Sequence, residues 1–123
     1  MPVRVDDLLD LLRNSSLVRR MRVVDYDETP SGLVELKIRC QLINGYQLQV
    51  WLHCEPAGMD YAYQVFTDQP LWRWDNAPHF PRISTAPHHF HDETGQVSSS
   101  VLTGEPDTDL QHVLMDLAQR LSS

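Results

Sequence analysis

Hydrophobic side chains recur at helical spacing near both ends of the chain and at every second position in between. Within residues 3–13, valines and leucines recur every three or four positions and aspartates fill the opposite face, which predicts a short amphipathic helix. A second apolar stripe runs from Leu110 to Leu121, after Pro106, and predicts a C-terminal helix. Short helices persist only when their apolar face is covered, so we expect both to pack on a sheet.

The central part of the chain has the alternation that is typical of half-buried β-strands. Alternation predicts strands over residues 20–25, 33–43, 46–54, 59–67 and 71–74, with a further edge strand over 96–102. Asn44-Gly45 separates two of these segments and is a strong hairpin signal. We therefore predict a single α+β domain over residues 1–123: a helix, a meander of about five antiparallel strands, a loop rich in proline and histidine, and a C-terminal helix packed on the sheet.

The alternation stops between Asp75 and about Thr94, where prolines 78, 81 and 87 disfavour regular structure. A loop of about twenty residues is long for a small domain, and such loops are often functional. The aromatic residues and histidines within it argue against disorder. We therefore expect an ordered, irregular loop that carries the chemistry.

The overall charge narrows the classes of function. The 123 residues include 17 acidic and 10 basic side chains, a formal net charge of −7. Proteins that bind nucleic acid non-specifically neutralise phosphates with a basic surface, so the total charge argues against that class. Residues 71–91 are the exception, because they contain two arginines, one aspartate and four of the six histidines. Their positive charge rises as imidazoles protonate near pH 6.5.

Three features predict a cytoplasmic protein without a membrane partner. No apolar run approaches the roughly 18 residues that cross a bilayer. The N-terminal residues lack the charged-then-apolar order of a signal peptide. Cys40 and Cys54 have the spacing of ordinary strand residues rather than of a CxxC pair, so we expect two buried thiols. A disulfide is the alternative if their strands are neighbours.

Two unusual motifs follow the alternating strands. They are Arg73-Trp74-Asp75-Asn76-Ala77-Pro78-His79 and Pro87-His88-His89-Phe90-His91. In these motifs, and in the tyrosines at positions 61 and 63, the chain resembles the TumE family, the toxin partners of bacterial TumE–TumA toxin–antitoxin modules. Phe90 stands where members often carry a basic residue, and Trp74 where tyrosine or phenylalanine is commoner. The resemblance implies a toxin with a cognate antitoxin as partner, and it implies no particular reaction.

The residue types in this segment suit cleavage of RNA. Attack by the 2′-hydroxyl on the phosphodiester needs a base, an acid and a cation on the phosphate. We therefore predict a metal-independent endoribonuclease, which acts on RNA and needs no cofactor. The candidate catalytic residues are Arg73, Asp75, His79, His88, His89 and His91. The candidate substrate-binding residues are Tyr63, Trp74, Asn76 and Arg82.

Two alternatives use the same segment differently. In one, a transition metal such as zinc binds the histidines together with Asp75 or Asp92 and assists hydrolysis. In an extended chain, His89 and His91 would point to one side and His88 to the other. In the other alternative, the loop is structural or contacts a partner protein, and the chain is not an enzyme. An unpaired edge strand also predicts a homodimer.

Overall fold

The computed structural model of the protein describes residues 4–122 and confirms the α+β class. Two helices and a short 3₁₀ turn accompany seven strands. The elements are α1 (Val5–Arg13), β1 (Val18–Glu28), β2 (Val34–Leu42), the 3₁₀ turn (Ile43–Gly45), β3 (Gln47–Glu55), β4 (Gly58–Phe66), β5 (Pro70–Asp75), β6 (His89–His91), β7 (Val97–Ser99) and α2 (Pro106–Arg120). The strands form one antiparallel sheet in the order of the sequence.

The sheet has more strands than the predicted five or so, and the additional strand lies where we expected an irregular loop. β6 contains only three residues, too few for alternation to be recognised. It pairs with β5 on one side and β7 on the other. The predicted strand over 96–102 is also shorter, because the Ser100 amide leaves the sheet and donates to Thr85 Oγ1 at 3.0 Å.

The predicted hairpin joins β2 to β3. Asn44 and Gly45 have φ angles of 61° and 82°, a left-handed conformation that these two residue types adopt at low cost. The resulting register places Cys40 opposite Leu48, and Cys54 opposite Val34. The two cysteines are therefore not neighbours and are free, buried thiols. Burial raises the pKa of Cys40 to about 12, which keeps this thiol protonated and unreactive.

Both helices cover the same face of the sheet, which carries the hydrophobic core. One buried cluster joins the helices to the inward side chains of the central strands. It includes Leu8 and Leu12 from α1, Leu36, Ile38, Leu48, Val50 and Leu52 from β2 and β3, and Leu110, Val113 and Leu117 from α2. No helix covers the other face in the described part of the chain. We call this second face the open face. On β2 it carries Glu35, Lys37, Arg39 and Gln41.

α2 begins at Pro106, with Glu105 as its N-cap, and its first turn is held by a buried carboxylate. Asp109 is fully buried. It accepts hydrogen bonds from the backbone amides of Thr103 and Gly104, at 2.9 and 2.8 Å. These bonds attach the helix to the segment that returns from β7. Neither described helix is long and apolar enough to cross a membrane.

Candidate active site on the open face

Four polar side chains meet on the open face where β5 pairs with β6. The register places Arg73 opposite His91, and Asp75 opposite His89. Directly paired residues of antiparallel strands project from the same face, with Cβ atoms about 5 Å apart. The short strand that the sequence did not predict therefore brings two histidines beside the last residues of β5. We call these four residues the Asp75 cluster.

The Asp75 carboxylate is the centre of this cluster and is only 4% exposed. Its Oδ2 accepts a hydrogen bond from Arg73 Nε at 2.7 Å and lies 3.4 Å from His91 Nε2. Its Oδ1 accepts from the Ala77 amide at 3.0 Å and lies 2.9 Å from His89 Nε2. A buried carboxylate needs such donors, because it has lost its hydration. Asp75 therefore fixes the positions of one guanidinium and two imidazoles.

His89 is an internal residue of the site, with only 2% of its surface exposed. Its Nδ1 lies 2.9 Å from the Pro87 carbonyl oxygen, which can only accept, so Nδ1 carries a hydrogen. Its Nε2 faces Asp75 Oδ1 and either donates a second hydrogen or offers a lone pair to a cation between the two atoms. In both cases His89 orients Asp75 and has no direct access to a large substrate.

His91 is the more accessible histidine, with 28% of its side chain exposed. Partial burial lowers its pKa from the usual value, and the positive charges of His89 and Arg73 act in the same direction. Asp75 opposes this shift. When Nε2–H points to Asp75, the lone pair on Nδ1 remains available. This combination gives a neutral imidazole that can accept a proton near pH 7.

Arg73 joins the cluster to solvent, since 41% of its side chain is exposed. Its Nη1 donates to Gln64 Oε1 at 2.9 Å, while its Nε donates to Asp75. Two fixed partners hold the guanidinium plane in one orientation and leave an exposed edge. Such an edge suits the two oxygens of a phosphate group.

The loop over residues 76–88 covers one side of the cluster. The Phe80 ring contacts His89 and His91 edge to face, with centroids 4.8 and 5.7 Å apart. This contact covers part of both imidazoles and restricts their rotation. His79 and Arg82 lie on the exposed side of the same loop.

Asn76 joins the end of β5 to β4 through its side chain. Its Oδ1 accepts from the Tyr61 amide at 3.0 Å, and its Nδ2 donates to the Met59 carbonyl at 2.7 Å. The amide thus replaces the backbone groups that one more strand residue would have supplied. These contacts give Asn76 a structural role, because both polar atoms of its side chain already form hydrogen bonds with β4.

Three other predicted site residues lie on the helix-covered face. Tyr63 and Trp74 are buried in the core, so neither can stack on or contact a substrate at the open face. His88 precedes β6 and points away from His89, as the alternation indicated. Its Nδ1 lies 2.7 Å from the hydroxyl of the buried Tyr61. His88 is therefore separated from the Asp75 cluster by the sheet. Asp92 also lies outside it, because its carboxylate accepts from Thr94 and Gln96 within its own turn.

Two contributors to the site carried little signal in the sequence. Gln64 was only one polar residue in an alternating strand, and its link to Arg73 depends on the β4–β5 register. Phe80 was one aromatic residue in a proline-rich loop, and its packing on the histidines depends on the path of that loop. Neither contact follows from local spacing, since both join residues that are distant along the chain.

These observations define a class of protein: an α+β domain whose helix-free sheet face holds a buried aspartate paired with arginine and histidine. Comparison with protein families supplies the identification. The model of the family described as Toxin TumE matches residues 8–121, and the chain belongs to this family. It is thus a toxin component of a toxin–antitoxin module, and an antitoxin is its expected partner. No curated protein and no solved structure gives a match.

Proposed function

We propose that this toxin cleaves RNA on the open face of its sheet, using the Asp75 cluster and no metal ion. One observation carries the proposal: a single buried carboxylate positions an exposed arginine and a half-buried histidine side by side. An anion-binding group beside a proton acceptor is the minimum needed for attack by a ribose 2′-hydroxyl on the adjacent phosphate.

In this mechanism, the Arg73 guanidinium binds the non-bridging oxygens of the scissile phosphate. His91 Nδ1 takes the proton from the 2′-hydroxyl, and the 2′-oxygen forms a bond to phosphorus. Asp75 and His89 are positioning residues, because they hold His91 and Arg73 and do not contact the substrate.

The leaving group needs a proton when the bond between phosphorus and the 5′-oxygen breaks. We assign this role to His79, which is exposed on the loop that covers the cluster. The products are a 2′,3′-cyclic phosphate and a 5′-hydroxyl, and His91 and His79 have then exchanged protonation states. Solvent restores both of them, so no other reactant is required.

Induced expression in a bacterium tests the proposal. Wild type should arrest growth and generate new RNA 5′ ends, whereas His91→Gln at equal soluble yield should do neither. His112→Gln is the matched control, because His112 lies on the exposed side of α2. Arrest that survives in His91→Gln, or the absence of arrest with wild type, would overturn the catalytic role of the cluster.

Metal-dependent hydrolysis is a second candidate function, favoured by a separate observation. Ligand atoms of Asp75, His89 and His91 all lie within 4.8 Å of one another. Two ligands bound tetrahedrally to one zinc ion at about 2.1 Å would be separated by about 3.4 Å. The two imidazole–carboxylate distances, 2.9 and 3.4 Å, are close to that separation. The hydrogen bond from His89 Nδ1 to a carbonyl is also typical of metal-bound histidines.

Titration with cobalt(II) separates the two candidates. A metal centre would produce an absorption band that His89→Ala and His91→Ala abolish and that the exposed His79→Ala retains. RNA cleavage that continues in excess chelator would exclude the metal-dependent function. Loss of cleavage in chelator, with recovery on adding metal, would instead exclude the metal-free mechanism.

A further inference from the structure

The register of the sheet aligns a row of cations and amides across the open face. Residues that are paired in successive strands form this row from β1 to β6, and we call it the arginine row. It consists of Arg22, Arg39, Gln49, Gln64, Arg73 and His91. Five spacings between strands of about 4.8 Å make it roughly 24 Å long. The Asp75 cluster lies at its β5–β6 end.

The arginine row is held in place by its own hydrogen bonds. Arg39 Nη2 donates to Gln49 Oε1 at 2.6 Å, and Arg73 Nη1 donates to Gln64 Oε1 at 2.9 Å. Each glutamine uses its oxygen for an arginine, so its NH₂ group remains as a further donor. The row therefore presents donors and positive charge without an acidic side chain of its own.

Positive charge is concentrated on this half of the open face, although the chain carries a net charge of −7. The neighbouring row, on the side away from Asp75, contains Arg20 opposite Gln41 and Gln41 opposite Gln47. Arg19 and Arg20 also line a cavity of about 540 Å³ beside the β2–β3 hairpin. The acidic residues of the open face lie in the rows on the other side: Asp25, Asp27, Glu35, Glu55, Asp60 and Asp75.

An aromatic ring lies beside the arginine row. Trp51 projects from β3 on the open face, with Lys37 opposite on β2 and the small Ala62 opposite on β4. The half-buried indole stacks on the His53 ring, with centroids 6.3 Å apart, and an aromatic ring held in this way can stack on an unpaired base. Double-stranded RNA keeps its bases inside the helix and cannot use such a ring.

We propose that the open face binds single-stranded RNA, with successive phosphates along the arginine row and a base stacked on Trp51. The proposal rests on the proposed function for its choice of RNA, and it identifies where the substrate lies relative to the Asp75 cluster. The strand would cross β1, β2, β3 and β4 before its scissile phosphate reaches Arg73. Charge complementarity selects this occupant, since the row is cationic and contains no carboxylate.

Binding of a 2′-O-methylated single-stranded RNA of roughly ten nucleotides tests the proposal, because this probe binds but cannot be cleaved. Fluorescence anisotropy would compare wild type with the double variant Arg22→Gln/Arg39→Gln. We expect about tenfold weaker binding and a salt dependence reduced by roughly one unit of slope per arginine. The matched control is Arg4→Gln/Arg13→Gln, which removes the same charge from the helix-covered side.

Trp51→Ala should weaken binding and leave the salt dependence unchanged, since it removes stacking and no charge. An equal loss in both double variants, or no binding by wild type at low salt, would overturn the proposal. Equal competition by polyglutamate would assign the surface to an acidic partner protein instead.

The uncleavable probe keeps this result separate from the proposed catalysis. Binding without cleavage of ordinary RNA would refute the catalytic role only. Cleavage that is insensitive to Arg22→Gln/Arg39→Gln would refute the arginine row only.

Discussion

Asp75 is the residue on which the geometry of the site depends, because it contacts Arg73, His89 and His91 at once. Asp75→Asn would remove the buried negative charge that compensates the Arg73 guanidinium and faces both imidazoles. Losing hydrogen bonds to a charged group typically costs about 1.5–3 kcal/mol, and the exposed part of Arg73 regains some of this from water. We expect a loss of that size in the free energy of unfolding, measured with urea. Asp10→Asn, which breaks the exposed pair with Arg13, should cost less than about 1 kcal/mol.

Replacing tyrosine by phenylalanine should affect stability differently at two buried positions, 61 and 63. Tyr63 Oη has no hydrogen-bond partner among the described residues, whereas Tyr61 Oη bonds to His88 Nδ1. Burial raises the pKa of both hydroxyls, so both remain protonated. Tyr63→Phe should be neutral or stabilising, and Tyr61→Phe should cost about 1 kcal/mol. Urea midpoints of the two variants check this, and the reverse order would contradict the assigned bonds.

Two histidines on the open face should titrate on opposite sides of the ordinary value of about 6.5. Burial, His89 and Arg73 lower the pKa of His91 against the opposing effect of Asp75. Hydrogen bonds to Glu55 and Glu35 raise the pKa of His53. The favourable pairing of His53 is therefore complete below pH 6.5 and is lost as the pH rises through its folded pKa, whereas folding is weakened as His91 protonates below pH 6.5.

Imidazole resonances followed by NMR in the presence of chelator measure both histidines. Midpoints below the ordinary value for His91 and above it for His53 are expected. A raised midpoint for His91 would contradict its role as a neutral base.

Between elements, the Asn76 side chain makes the hydrogen bonds to β4 that one more residue of β5 would have made. Asn76→Ala would leave the Tyr61 amide and the Met59 carbonyl without their partner. A buried polar group that loses its partner costs about 1–3 kcal/mol, and the loop that starts at this residue should also become more mobile. Urea unfolding measures the first effect, and hydrogen exchange of the loop amides of His79, Ile83 and Ala86 measures the second. Asn14→Ala, at the exposed end of α1, should change stability by less than about 0.5 kcal/mol.

The elements also show what local patterns can predict. Strict alternation identified β2 and β3 closely, because each covers four or more repeats of the pattern with one face in the core. β6 was missed because three residues contain too little periodicity. The alternation of His88, His89 and His91 nevertheless predicted their relative directions. That Trp74 and Tyr63 lie in the core follows from the direction of β4 and β5 relative to the helices, which spacing alone does not determine.

At the scale of the whole molecule, the two faces of the sheet differ in composition. The helix-covered face holds the core, and the open face carries the arginine row and the Asp75 cluster. The net charge of −7 conceals this arrangement, because most acidic residues lie on the helices or in rows of the open face other than the arginine row. Total charge is therefore a weak argument against nucleic-acid binding when basic and acidic side chains occupy separate rows of one face.

The central claim is that the Asp75 cluster cleaves RNA through the ribose 2′-hydroxyl. Purified protein with chelator should cut single-stranded RNA of random sequence and leave 2′,3′-cyclic phosphate ends. DNA of the same design should remain intact. His91→Gln should lower the rate at least about a hundredfold, the usual contribution of a general base. Uncut RNA, equal cutting of DNA, or an undiminished rate in His91→Gln would contradict the claim and favour a toxin that acts by binding.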